Sequence, residues 1–299
     1  MNNMILLYID WNFDPELFTI LGREIRWYGL MWVIGLMVAV YIVQRIYKSE
    51  NLPEKWFESL FWYVIGGIII GARLGHCLFY DPEYYLSHPI EMILPISKNE
   101  YGIYVFSGYA GLASHGGVIG IIVAVWLYSK RVTKKSMLWT FDRIVVAAGF
   151  TAGMIRIGNL SNHEIYGHAT DKPWGFRFIE NLPQWKDGYP AMYSLPSHPT
   201  QIYEAICYFI IFGITMWMYW KTDARKHHGL IIGIAMIGIF SARFLIEFLK
   251  NVQEPFEVSL RDTYGMVMGQ LLSIPFIIWG IWLVWQASTK KSKNRNNLK

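Results

Sequence analysis

The run Gly153-Met154-Ile155-Arg156-Ile157-Gly158-Asn159-Leu160-Ser161-Asn162-His163-Glu164-Ile165-Tyr166-Gly167 carries an apolar segment straight into a guanidinium, two amides and a carboxylate. An arginine at the centre of a membrane helix costs roughly 2.5–3.5 kcal/mol on insertion scales, so it ordinarily faces a cavity or a partner. Arg156 and Asn159 are three residues apart and share a face if the helix continues that far. A guanidinium beside amide donors suits a phosphate. The plainer alternative is an arginine that snorkels to the interface and pairs with Glu164.

Further segments put polar groups at the ends of apolar runs. In Ser241-Ala242-Arg243-Phe244-Leu245-Ile246-Glu247, the four-residue spacing lets Arg243 and Glu247 form a structural ion pair along one helix face. The functional alternative is that Arg243 and Arg156, on separate spans, flank one anionic group. Ser114-His115-Gly116-Gly117 joins an imidazole, suited to proton exchange near neutral pH, to two glycines that let backbone approach a ligand. A structural hydrogen bond is the plainer role for that histidine. His198-Pro199-Thr200-Gln201-Ile202-Tyr203-Glu204 caps a span and sends Gln201 and Glu204 into apolar territory, where a polar pair needs partners. Ile25-Arg26-Trp27-Tyr28-Gly29-Leu30 reads alone as an aromatic anchor. Gly71-Ala72-Arg73-Leu74-Gly75-His76 adds another intramembrane arginine, with glycines that small-residue helix packing explains.

These residues need a scaffold, and composition says which. Of 299 residues, 54% are hydrophobic and only 16% charged, with mean hydropathy +0.26; a soluble domain carries about 25% charged residues. The expected fold is an all-α polytopic membrane protein. Apolar windows of spanning length fall at 27–47, 56–79, 115–128, 138–157, 200–220, 230–249 and 264–285. The third is short unless residues before His115 contribute. The chain is expected to form a single membrane domain over 1–299. Connections 80–114 and 159–198 are expected to be extracytoplasmic loops that fold into a cap, because loops of that length are seldom passive.

The net charge of +5 does not indicate nucleic acid, because the basic residues lie in short blocks between apolar runs. Arg45, Lys48, Lys55, Lys130, Arg131, Lys134, Lys135, Lys221, Arg225 and Lys226 fall in one set of connections, as does a basic tail over 286–299. The positive-inside rule then places the N-terminus outside and the C-terminus in the cytoplasm. Cys77 and Cys207 lie in apolar runs and make neither a disulfide framework nor a metal-ligand spacing. The N-terminal region lacks a basic segment and carries Asp10, Asp14 and Glu16, so no cleavable signal peptide is expected.

Taken in order, the segments resemble prolipoprotein diacylglyceryl transferases. Arg156 to Gly167 matches most of the family's Gly-Arg-Ile/Leu-Gly-Asn-Phe-x-Asn-x-Glu-x-x-Gly signature. His115-Gly116-Gly117, Arg26 to Leu30, His198 to Glu204 and Arg243 to Glu247 match four further motifs. Ile155, Leu160 and His163 depart from the family's usual Gly, Phe and Gly at those places. The resemblance implies transfer of an sn-1,2-diacylglyceryl group from phosphatidylglycerol to the lipobox cysteine of a prolipoprotein signal peptide. A thioether forms, glycerol 1-phosphate leaves, and the setting is the bacterial cytoplasmic (inner) membrane. It further implies catalytic roles for His115, Arg156 and Arg243, with phosphatidylglycerol contacts from Arg156, Tyr28, Asn159, Glu164, Gly116, Gly117, Arg243 and Glu247. Gln201, Tyr203, Glu204 and Arg73 would support them.

Three other classes compete. A polytopic transporter with an intramembrane anion site would also bury charges, but no inverted repeat is evident. An intramembrane protease lacks a Gly-x-Ser-x-Gly elbow and an evident aspartate pair. A metal-dependent phospholipid synthase would need clustered carboxylates. The implied transferase uses no metal and no cofactor, so its activity is expected to persist in excess EDTA, measured as peptide lipidation with and without chelator.

Overall fold

A computed structural model describes residues 8–20, 22–94, 96–99, 101–106, 111–252 and 255–296. Seven of its helices are long and apolar enough to cross a membrane: α1 (Trp27–Ser49), α2 (Glu54–Phe79), α3 (His115–Thr133), α4 (Met137–Ser161), α5 (Thr200–Lys221), α6 (Leu230–Leu249) and α7 (Met268–Thr289). With the backbone N–H and C=O groups of their interiors bonded within the helix, such segments suit a bilayer core that offers no water.

Three boundaries differ from the hydropathy reading. α3 gains its length at the other end, through a π-helical turn over Ser129–Thr133; Lys130 and Arg131 made that turn look like a loop. α4 continues to Ser161, so Asn159 is helical. α7 begins at Met268 because Gly265, with φ +68°, separates it from a distinct helix over Pro255–Tyr264. The α7 helix runs on through the basic tail to Asn296.

The chain divides into two compact units, Gln44–Phe141 and the combination of Met1–Val43 with Asp142–Lys299, the division falling within α1 and α4. In the smaller unit α2 and α3 pack backbone to backbone. A Cβ built on Gly71 would meet the Gly116 carbonyl at 2.4 Å, and one on Gly120 would meet the Gly67 carbonyl at 1.9 Å. Apolar burial does not drive helix association in lipid, so close van der Waals packing through small residues must do it. The connection between them holds short helices over Pro82–Ser87 and Pro89–Ile93 and a hairpin of β4 (Ile96–Lys98) with β5 (Tyr104–Phe106).

In the larger unit α4 packs on α5, α5 on α6, and α6 on α7. The buried Asp142 carboxylate accepts from the backbone N–H groups of Gly229 and Ile232 at 2.6 and 2.9 Å, satisfying donors at the start of α6. Short strands lie outside the spans. β1 (Tyr8–Trp11) pairs in parallel with β6 (Gly175–Phe178), from the 159–198 connection. β2 (Glu16–Ile20) and β3 (Arg23–Arg26) form a hairpin. Arg177 clamps Asp10 across β1 and β6 with bonds of 2.6 and 2.8 Å, which holds the Asp10 carboxyl below its usual range. Lys186 ties Glu16 to Glu24 across the hairpin.

The α2–α3 contact makes a paired prediction. Gly120→Ala forces the helices apart and is expected to cost about 1–3 kcal/mol as overpacking. Gly66, one position from the contact residue Gly67, has open space around it, so Gly66→Ala is expected to be neutral or to stabilise by up to about 1 kcal/mol. Thermal unfolding in detergent distinguishes them.

Candidate active site

Pro199 turns the chain into α5, and Glu204 comes one turn later with its side chain fully buried. An ionised carboxylate there must find cations. Lys250, at the end of α6, donates to Glu204 Oε1 at 2.9 Å, and Tyr208 donates to the same oxygen at 3.3 Å. Arg156 Nε of α4 stands 3.0 Å from Glu204 Oε2. That oxygen accepts no hydrogen bond, so Arg156 holds it by charge and not by an aligned N–H. Three helices therefore meet on one carboxylate.

The plainer alternative, an Arg156–Glu164 pair, is not what forms. After Ser161, His163 and Ile165 both take positive φ, 57° and 63°, and the chain turns back over the helix end. A left-handed β-branched residue such as Ile165 costs about 1–3 kcal/mol. Its carbonyl is held by the Thr200 hydroxyl at 2.8 Å. Glu164 then accepts from Asn159 Nδ2 at 2.8 Å and from Asn162 Nδ2 at 3.3 Å. Asn159 in turn accepts from Arg156 Nη1 at 3.3 Å, so it links the arginine to the carboxylate. Gln201 donates to the Glu164 carbonyl at 2.6 Å. The motif's last glycine seats the turn: a Cβ on Gly167 would lie 2.2 Å from the Leu249 carbonyl.

Nor does the structural Arg243–Glu247 pair form. α6 tightens to a 3-10 turn over Glu247–Leu249, which brings residues three apart onto one line. Glu247 accordingly faces Lys250 at 3.3 Å. Arg243 makes no ion pair among the described residues, and its Nε is buried without a hydrogen-bond partner. Tyr28, at the start of α1, packs on Gly158, where a Cβ would lie 2.8 Å from the tyrosine ring.

Other expected residues lie elsewhere. The Tyr203 hydroxyl is taken up by Trp174 Nε1 at 2.8 Å and His198 Nδ1 at 3.2 Å. His115, Gly116, Gly117 and Arg73 belong to the smaller unit. There the exposed His115 packs against the rings of Phe79 and Tyr80. Gly116 is required by α2, whereas a Cβ on Gly117 would make only ordinary contact. Arg73 is buried and donates to the carbonyls of Glu91 and Met92 at 2.5 and 3.2 Å. No cluster of metal-ligating side chains occurs among the described residues. Of Arg156 and Arg243 in the larger unit, Arg156 is engaged by Glu204 and Asn159, whereas Arg243 Nε has no hydrogen-bond partner.

The family model for prolipoprotein diacylglyceryl transferase matches residues 15–286. The chain belongs to the prolipoprotein diacylglyceryl transferase family. A phosphatidylglycerol–prolipoprotein diacylglyceryl transferase of Porphyromonas gingivalis is 51% identical over 94% of this chain and 95% of its own length. One of Bacteroides fragilis is 47% identical over 98% and 99%, and one of Tolumonas auensis 36% identical over 95% and 99%. The chain is a multi-pass membrane transferase.

The interactions of two residues, Lys250 and His163, escaped the sequence reading. Lys250 looked like the end of a span, and only its three-residue spacing from Glu247 hinted otherwise. His163 looked like a departure from the family pattern. It is buried, with Nδ1 accepting from the Ile179 N–H at 3.0 Å and Nε2 facing the Phe13 carbonyl at 2.8 Å. Nε2 must then carry the proton and the ring must be neutral. Burial pushes its pKa below the ordinary histidine value. The unfolded chain therefore binds the proton more readily, and the stability His163 contributes is complete above about pH 6.5 and lost as pH falls from there through the folded value. Thermal unfolding between about pH 7.5 and 5 is expected to show a fall in midpoint that is reduced in His163→Gln.

Proposed function

We propose that the chain transfers the diacylglyceryl group of phosphatidylglycerol to the thiol of a prolipoprotein lipobox cysteine, with Arg243 and Arg156 holding the phosphate. The observation that carries this reading is the buried, unpartnered Arg243 Nε in a chain whose relatives act on an anionic phospholipid. A cation left unpaired in a partly buried site is costly, and a phosphate removes that cost.

The reaction needs little more. The cysteine reacts as thiolate at the glycerol carbon that bears the phosphate. The new C–S bond forms as the C–O bond breaks, and the electron pair leaves on the phosphate oxygen of glycerol 1-phosphate. Preorganised cations at that oxygen lower the barrier. We assign the thiol proton to His115, since imidazole exchanges protons near neutral pH. Asn159, Glu164 and Tyr28 orient the head group, while Gln201 and Glu204 hold α4 and α5 in place around it.

The active end is placed outside the bacterial cytoplasmic membrane. Glu204 lies at the start of α5 and Lys221 at its end, followed by Arg225 and Lys226, and basic ends stay in the cytoplasm. By the same rule the 80–114 and 159–198 connections would each lie on the outer side, where an exported cysteine meets lipid.

Incubation of the purified protein with phosphatidylglycerol and a lipobox peptide, then its Cys→Ser counterpart, tests the reading by mass spectrometry. A gain of one diacylglyceryl group on the cysteine peptide alone is expected. Arg156→Ala and Arg243→Ala should each slow transfer by about 10²–10³; unchanged turnover in both would overturn the phosphate clamp. A near-full single-turnover rate in His115→Gln would remove its role as base.

A further inference from the structure

Arg243 makes no ion pair among the described residues, and its Nε is buried without a hydrogen-bond partner, although a carboxylate lies one helical turn away. Glu247 is four residues on, the spacing at which glutamate and arginine pair along an α-helix. Two features of the structure prevent that pair. The 3-10 turn over Glu247–Leu249 aligns Glu247 with Lys250, and the Lys250 ammonium draws it in at 3.3 Å. On its other side the carboxylate lies against Gly269 at the start of α7, where a Cβ would stand 2.6 Å from the Glu247 carboxyl carbon. Lys250 does not face an anion site itself. Its side chain is 4% exposed, and its ammonium is shared between Glu247 and Glu204.

We infer that Lys250 is a positioning residue that holds Glu247 away from Arg243, with Gly269 as the recess that receives the carboxylate. A phosphate then meets a guanidinium that no internal carboxylate has neutralised. In its absence Glu247 would return to the helical pairing and compete with the phosphate for Arg243. This inference rests on the phosphate-clamp reading above; it adds Lys250 and Gly269, which touch no substrate, and takes Glu247 out of the lipid contacts that the family resemblance implies.

The same full-length protein tests it. Lys250→Met is expected to lower kcat/KM for phosphatidylglycerol, mainly through KM, by about 10- to 100-fold, the range of a lost charged hydrogen bond. Adding Glu247→Gln should restore most of that loss, because the competing charge is gone, and Lys250→Arg should retain most activity. Gly269→Ala keeps the lysine and removes the recess, so it should raise KM in the same direction and be relieved by the same Glu247→Gln. A wild-type KM in Lys250→Met overturns the inference. So does an impaired Lys250→Met that Glu247→Gln fails to relieve, which would give the lysine a direct or purely structural role. If Lys250→Met does not fold, Gly269→Ala with and without Glu247→Gln decides. Calorimetric binding of glycerol 1-phosphate to each variant separates the two levels of the argument. A wild-type chain that binds the anion, weakly so in Lys250→Met, but transfers no lipid leaves the positioning role standing and sinks the transferase reading.

Discussion

Glu204 carries a carboxylate with no solvent exposure one turn inside an apolar helix, and the larger unit is organised around compensating it. Removing a charge from water costs several kcal/mol unless partners are brought to it. Those partners come from different helices: Arg156 from α4 and Lys250 from the end of α6. The carboxylate therefore fixes helix ends that are separated by many residues in the chain. Bonds to charged groups are strong and directional where water is excluded, and polar contacts between helices add to the close packing that holds membrane bundles together.

The second constraint is backbone proximity. Where helices must meet closely, the chain supplies glycine: Gly71, Gly116 and Gly120 between α2 and α3, Gly158 beneath Tyr28, and Gly269 beneath the Glu247 carboxylate. The last two also fix where a polar side chain lies: a single methyl group at either would displace Tyr28 or the Glu247 carboxylate without altering any charge.

Much of this was legible in residue order. The seven spans follow from apolar length, since a bilayer requires about 20 residues of helix, and the motif set from Arg26 to Glu247 pointed to the family that the comparisons show. Asn159 on the same face as Arg156 also followed from helical spacing. The short strands β1 and β6 were not legible. Their pairing joins residues near the N-terminus to the 159–198 connection, and four-residue segments carry no periodicity of their own.

Ion pairing was where sequence spacing misled. Arg156 with Glu164, and Arg243 with Glu247, are the pairings that local order suggests; the structure gives Arg156 to Glu204 and Glu247 to Lys250. The cause in each case is a local departure from ideal helix: two left-handed residues after Ser161, and a 3-10 turn after Ile246. Sequence by itself determined the membrane class, the spans, the family and the identity of the charged groups, because these depend on residue type and spacing along one chain. Which charge neutralises which, and which arginine is left without an ion pair, was decided only by tertiary structure, because electrostatic partners are chosen by distance in space and by the water that packing excludes.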